Sequence, residues 1–199
     1  MKKYTLITIF LINTYLSFGQ ILPGTLDVSG FPNISQTIND LVSEAGLDDT
    51  SVGFESNFDT NLITFTLDPT ILMGITAAST EQNCDANVFR YSVYMYTSYV
   101  PDGFIIEAKT TFDSGFGLPA VSTYDTLPIQ PLGPRGLTPE NGGNYITIPR
   151  DGASAIKVFE FVGCREDIPI QFRIKPSVKV VGGNPVNFDV YYTVVGSLN

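Results

Sequence analysis

The segment from Val88 to Val100 reads as a strand run, and from Arg90 to Tyr99 its side chains change face at every residue. Tyr91, Val93, Met95, Thr97 and Tyr99 fall on one side; Arg90, Ser92, Tyr94, Tyr96 and Ser98 fall on the other. A strand sends successive side chains to opposite faces, so this period of two specifies β structure with one face buried. The same period recurs along the chain. Ile63, Phe65 and Leu67 alternate with Thr64 and Thr66 until Asp68-Pro69 ends the run. Beyond the turn residues Pro101-Asp102-Gly103, Phe104, Ile106, Ala108 and Phe112 alternate with Ile105, Glu107, Lys109 and Thr111. The runs flanking that turn read as a hairpin. Residues 155–162 form another strand, ending at Gly163-Cys164. Ile168, Ile170, Phe172 and Ile174 then alternate with Pro169, Gln171, Arg173 and Lys175, and Val178 and Val180 extend the run. After the turn Gly182-Gly183-Asn184-Pro185, the residues Val186, Phe188, Val190, Tyr192 and Val194 complete a last hairpin. Strands of this length separated by turn signals predict an all-β protein, an antiparallel sandwich.

Two stretches depart from that pattern. Ser35 is placed to N-cap a short N-terminal helix in which Ile38, Leu41, Val42 and Ala45 recur at helical spacing, with Gly46 as its stop. Residues 113–143 hold six glycines and five prolines, which excludes a regular central strand through most of them. A short strand over 120–124 and a long exposed loop over 128–144 are expected there.

The amino terminus addresses the chain to a compartment. Lys2 and Lys3 precede a short apolar stretch from Leu6 to Leu16, and Ser17-Phe18-Gly19 puts small residues at a cleavage site before Gln20. This is the pattern of a secretory signal over residues 1–19, with an apolar core too short to span a bilayer. The expected organisation is that signal, an extended segment over 20–34, and one domain over 35–199. An exported protein with two cysteines, Cys84 and Cys164, is expected to join them in a disulfide.

Charge and missing residue types narrow the function. Without the signal, nine basic residues face 20 acidic ones, a formal balance of −11. Nucleic acid and anionic membranes would repel such a chain, so neither is an expected partner, and no membrane insertion is expected after cleavage. Histidine is absent, which excludes Ser-His-Asp and Cys-His catalysis and histidine-ligated metals. Tryptophan is absent too, which leaves tyrosine as the candidate stacking surface for sugars. Asn83-Cys84-Asp85-Ala86-Asn87 alternates oxygen ligands, but no EF-hand or other metal motif is present, and neither metal nor cofactor is expected. A hydrolase working through two carboxylates is the enzymatic option left; its carboxylate separation is not encoded in a sequence. The expectation is a non-enzymatic protein.

From Ile168 onward the chain runs IPIQFRIKPSVKVVGGNPVNFDVYYTVVGSLN, and its strand Phe188-Asp189-Val190-Tyr191-Tyr192-Thr193-Val194-Val195 resembles the closing strand of bacterial fimbrial and surface-type β-sandwich domains. The signal ending Phe18-Gly19-Gln20 is similar to those of exported Bacteroidetes proteins. The resemblance implies an immunoglobulin-like or pilin-like sandwich at the cell surface. The chain departs from chaperone–usher pilins in lacking their penultimate tyrosine and any detached donor strand over 20–30. The leading expectation is a subunit of a filament, fimbria or extracellular matrix, assembling with itself or with other surface proteins by β-strand addition. Its candidate assembly segment carries Ile21, Leu22, Leu26, Val28 and Phe31. The alternative is an adhesin that presents Arg90, Tyr94 and Tyr96, with the 128–144 loop, to a glycan or protein.

Overall fold

Eleven strands and one short helix make up the described chain. In order they are β1 (Leu26–Ser29), β2 (Phe54–Glu55), β3 (Leu62–Leu67), α1 (Thr80–Ala86), β4 (Arg90–Thr97), β5 (Phe104–Thr110), β6 (Phe116–Leu118), β7 (Leu137–Pro139), β8 (Ile146–Thr147), β9 (Ile156–Val162), β10 (Cys164–Pro176) and β11 (Val190–Ser197). This computed structural model describes residues 26–29, 54–55, 61–68, 79–177, 179 and 187–197. The expected signal, the helix over 35–46, Ile21, Leu22 and Phe31 lie outside the described residues.

The strands form two antiparallel sheets, as the alternating pattern predicts. In the smaller sheet the order is β11-β4-β9-β7, and in the larger it is β1-β3-β10-β5-β8. The long strand β10 is the spine of the larger sheet. Its first half pairs with β3 on one edge and β6 on the other; its second half pairs with β2 and β5. A register shift between Arg165 and Ile168 separates the halves, and Asp167 takes a left-handed conformation there (φ 57°).

The core lies between the sheets. Ile63, Phe65 and Leu67 of β3 meet Tyr91, Val93 and Met95 of β4 and Phe159 and Phe161 of β9 in one buried cluster. The Phe65 ring stands 4.9 Å from Phe161 and 6.0 Å, edge-on, from Phe159, the tilted geometries that aromatic quadrupoles favour. Gly163 takes the chain from one sheet to the other at φ +73°, where a side chain would be strained, and its N–H donates to Phe89 O at 3.0 Å. A disulfide joins Cys84 of α1 to Cys164 at the start of β10, with Cα atoms 5.7 Å apart, in agreement with the expected pairing.

Four expectations need correction. Neither expected hairpin forms, because β4 and β5 belong to different sheets, as do β10 and β11. Period two specifies a half-buried strand but not its partner, and a turn between strands serves a crossover as well as a hairpin. Tyr99 and Phe112 do not continue their buried faces; they are 79% and 70% exposed, because β4 and β5 stop two residues earlier. Nor is 113–143 a plain loop. It contains β6, β7 and a 3-10 turn over Thr123–Thr126, with Tyr124, Leu132 and Leu137 buried. The short strand expected over 120–124 lies instead at β6, and α1 is an element the sequence pattern did not announce.

Candidate functional site

The outer face of β4 carries the three residues named from sequence, and β11 adds a fourth. Register places Tyr191 directly opposite Tyr96, and their rings stack at 4.9 Å and 15°. The 3-10 turn over Gly152–Ser154 also approaches the Tyr96 ring. A Cβ at Gly152 would lie 3.3 Å from the Tyr96 ring, so glycine allows the approach. Tyr94 stands between Thr193 and Lys157 on the same face and is half-buried. Lys157 bridges Glu140 and Glu160, and its hydrogen bond to Glu140 holds its ammonium above the ordinary value. Arg90 is committed elsewhere: its Nη2 donates to Leu132 O at 2.7 Å. The structure therefore brings Tyr94 and Tyr96 together with Tyr191, while Arg90 holds the neighbouring loop.

Two edges bear on assembly. β11 pairs with β4 along its whole length and, among the described residues, with nothing on its other side. Its eight residues hold no charge and no proline, so it lacks the usual devices that protect an edge from a second chain. In the other sheet, β1 pairs, among the described residues, with β3 alone, in register Leu26↔Leu67 to Ser29↔Thr64. Leu26 and Val28, two residues of the expected assembly segment, pack there against the core of their own chain.

The segment 113–143 is fastened by polar contacts that sequence reasoning missed. Ser122 caps the 3-10 turn, and its N–H donates to Asp125 Oδ2 at 2.9 Å. Asp85 of α1 accepts from Ser122 Oγ at 2.7 Å, Thr123 Oγ1 at 2.7 Å and Thr123 N at 2.6 Å. Those bonds, the Ser122 hydroxyl first, hold its carboxyl below the ordinary value of 3.8. The buried Tyr124 hydroxyl donates to Gly133 O at 3.0 Å and accepts from Leu132 N at 2.8 Å. Ser122-x-x-Asp125 is a capping-box signature, the one sequence signal that pointed to this turn.

The carboxylates are largely engaged in structural pairs. Glu107 accepts from Arg173 Nε at 2.6 Å, Asp125 from Arg135 Nη1 at 2.9 Å, and Glu160 from Lys157 at 3.2 Å. The alternating oxygen ligands of residues 83–87 do not meet around one point: Asn83 Oδ1 accepts from Asn87 Nδ2 at 2.7 Å, while Asp85 turns to Ser122 and Thr123. Among the described residues no cluster of acidic or cysteine side chains is placed to hold a metal ion. An apolar niche of about 190 Å³, lined by Val100, Phe104, Ile106, Ile148 and Pro149, has room for one side chain rather than a cofactor. No helix among the described residues is long and apolar enough to cross a membrane. No family model matches the chain, and neither a curated protein nor a solved structure matches it.

Proposed function

We propose that this chain is an exported, non-enzymatic structural subunit of a cell-surface filament, fimbria or extracellular matrix, and that β1 joins one copy to the next. The observation that carries the reading is the β1–β3 pair. Among the described residues β1 is a four-residue strand at the rim of its sheet, held by one neighbour, and its apolar side chains Leu26 and Val28 pack against the core. A second copy's β1 would make the same contacts on β3, so exchanging one for the other leaves the contact energy nearly unchanged. When the rotation between copies does not close a ring, such an exchange produces a fibre. The signal pattern, the acidic surface and the Cys84–Cys164 disulfide support a place outside the cytoplasm.

Negative-stain electron microscopy with light scattering on the mature protein tests the reading. Ordered fibres that disappear when residues 20–31 are deleted, and that stay absent when the free peptide is added back to fill β3 of the truncated monomer, are the expected result. A monomer at every concentration would overturn it.

The stacked Tyr96–Tyr191 pair favours one second reading, an adhesin that offers Tyr94, Tyr96 and Tyr191 to a glycan or protein. Binding on a glycan array that is lost on Tyr96→Ala would support it; an array with no binding would count against it.

A further inference from the structure

At the end of the sandwich where β6 meets β10, two arginines are buried side by side. Arg165 is 6% exposed, and the Arg135 side chain 5%. The register of β10 sets Arg165 directly opposite Gly117 of β6. Residues directly opposite in an antiparallel pair share a face. Arg135 Nη2 lies 2.9 Å from where a Gly117 Cβ would project, so its guanidinium occupies the Arg165 face of this ladder. The Nε of Arg135 lies equally close to a Cβ built on Gly163, two residues before Arg165. The absence of two side chains thus makes the cradle in which Arg135 sits.

The two cations are not equally neutralised. Arg135 donates to Asp125 Oδ2 and to Pro119 O, each at 2.9 Å. Arg165 Nε is buried with no hydrogen-bond partner among the described residues. The carboxylate whose charge acts on Arg165, Asp125, is already taken by Arg135 and by the Ser122 N–H. Burial first, and then the Arg135 charge, pull the Arg165 guanidinium below its ordinary value, while Asp125 acts in the opposite sense. A buried guanidinium left without its partner is costly, and its planar fork matches an oxyanion in two-point geometry.

We infer that Arg165, with Arg135 beside it, forms a binding site for one small oxyanion, a carboxylate or phosphate group, taken up by the unpartnered Arg165 guanidinium. The surroundings are rigid. Cys164 is fixed by its disulfide to α1, Ser122 and Asp125 cap the adjacent turn, and Tyr124 ties the following segment to Gly133. This site shares no residue with β1 or with the tyrosine face, and its test does not depend on whether the chain forms fibres.

The test is a titration of the mature protein with acetate and, separately, with inorganic phosphate, at constant ionic strength maintained with chloride. The readout is the Nε–H resonances of Arg165, Arg135 and Arg150, the last an exposed arginine paired with Asp102. Saturable shifts at Arg165 and Arg135, with only drift at Arg150, are expected. Saturation by acetate alone identifies a carboxylate ligand, by phosphate alone a phosphate ligand, and by both a general oxyanion site. Arg165→Lys keeps the charge but not the fork and is expected to weaken binding about tenfold. Arg165→Met is expected to abolish the saturable response at Arg135. Equal, non-saturating drift at all three arginines, or a saturable Arg135 response that survives Arg165→Met, would overturn the assignment. The wild-type titration decides the matter even where a variant fails to fold.

Discussion

Asp85 is a single carboxylate that ties α1 to the 113–143 segment. It receives three hydrogen bonds from two residues, which makes its ionised form the favoured one in the fold. Because the folded-state value is depressed, its contribution to stability is complete above the ordinary value of 3.8 and disappears as pH falls through the folded-state value. Asp85→Ala is therefore expected to cost about 1–2 kcal/mol at neutral pH, in proportion to the bonds lost at a partly exposed site. Denaturant unfolding at neutral and acidic pH checks this: the gap between wild type and variant should shrink in acid. Phe65 works in the opposite medium. Fully buried and in contact with Phe159 and Phe161, it holds the two sheets together, and Phe65→Ala is expected to lose about 3–5 kcal/mol in the same measurement.

Elements differ in how openly the chain declares them. β3 was legible to the residue, because Ile63, Phe65 and Leu67 alternate cleanly and Asp68-Pro69 stops the run. β4 was legible in its body but not at its ends: the run read from Val88 to Val100 is a strand only from Arg90 to Thr97, since Tyr99 keeps the alternation after the ladder has stopped. What period two does not carry is pairing, so the sheet order and the Tyr96–Tyr191 stack stayed hidden until β11 was seen beside β4. α1 was hidden for a different reason. Its seven residues bury only Asn83 and Cys84, too few to write an apolar stripe, although Ser79 is an ordinary N-cap. Glycine and proline in 113–143 announced an interruption, but not that Tyr124, Arg90 and Asp85 would pin it. At this scale β1 carries a prediction of its own. Leu26→Asp with Val28→Asp should abolish fibres while sedimentation still shows folded monomer, because charges facing the core weaken β1 on its own β3 and on a neighbour's alike.

For the whole molecule, the disulfide and the two rims have opposite consequences. Cys84–Cys164 closes a span of 80 residues and links α1 to the spine of the larger sheet, so it stabilises the body of the domain. Replacing both cysteines with alanine is expected to lower stability by about 2–4 kcal/mol, and reductant should then change the unfolding of wild type only. Among the described residues the rims carry the unpaired strand edges: β1 is held by one neighbour, and β11 presents an uncharged edge. The proposal that β1 pairs in trans is tested most directly by a cross-link between separate chains. Asp27 and Thr66 are direct partners across the β1–β3 ladder. Chains carrying only Asp27→Cys are mixed with chains carrying only Thr66→Cys, allowed to assemble, and oxidised. A covalent dimer running through the assembled material is the predicted result; assembled material that yields no such dimer would contradict strand exchange through β1.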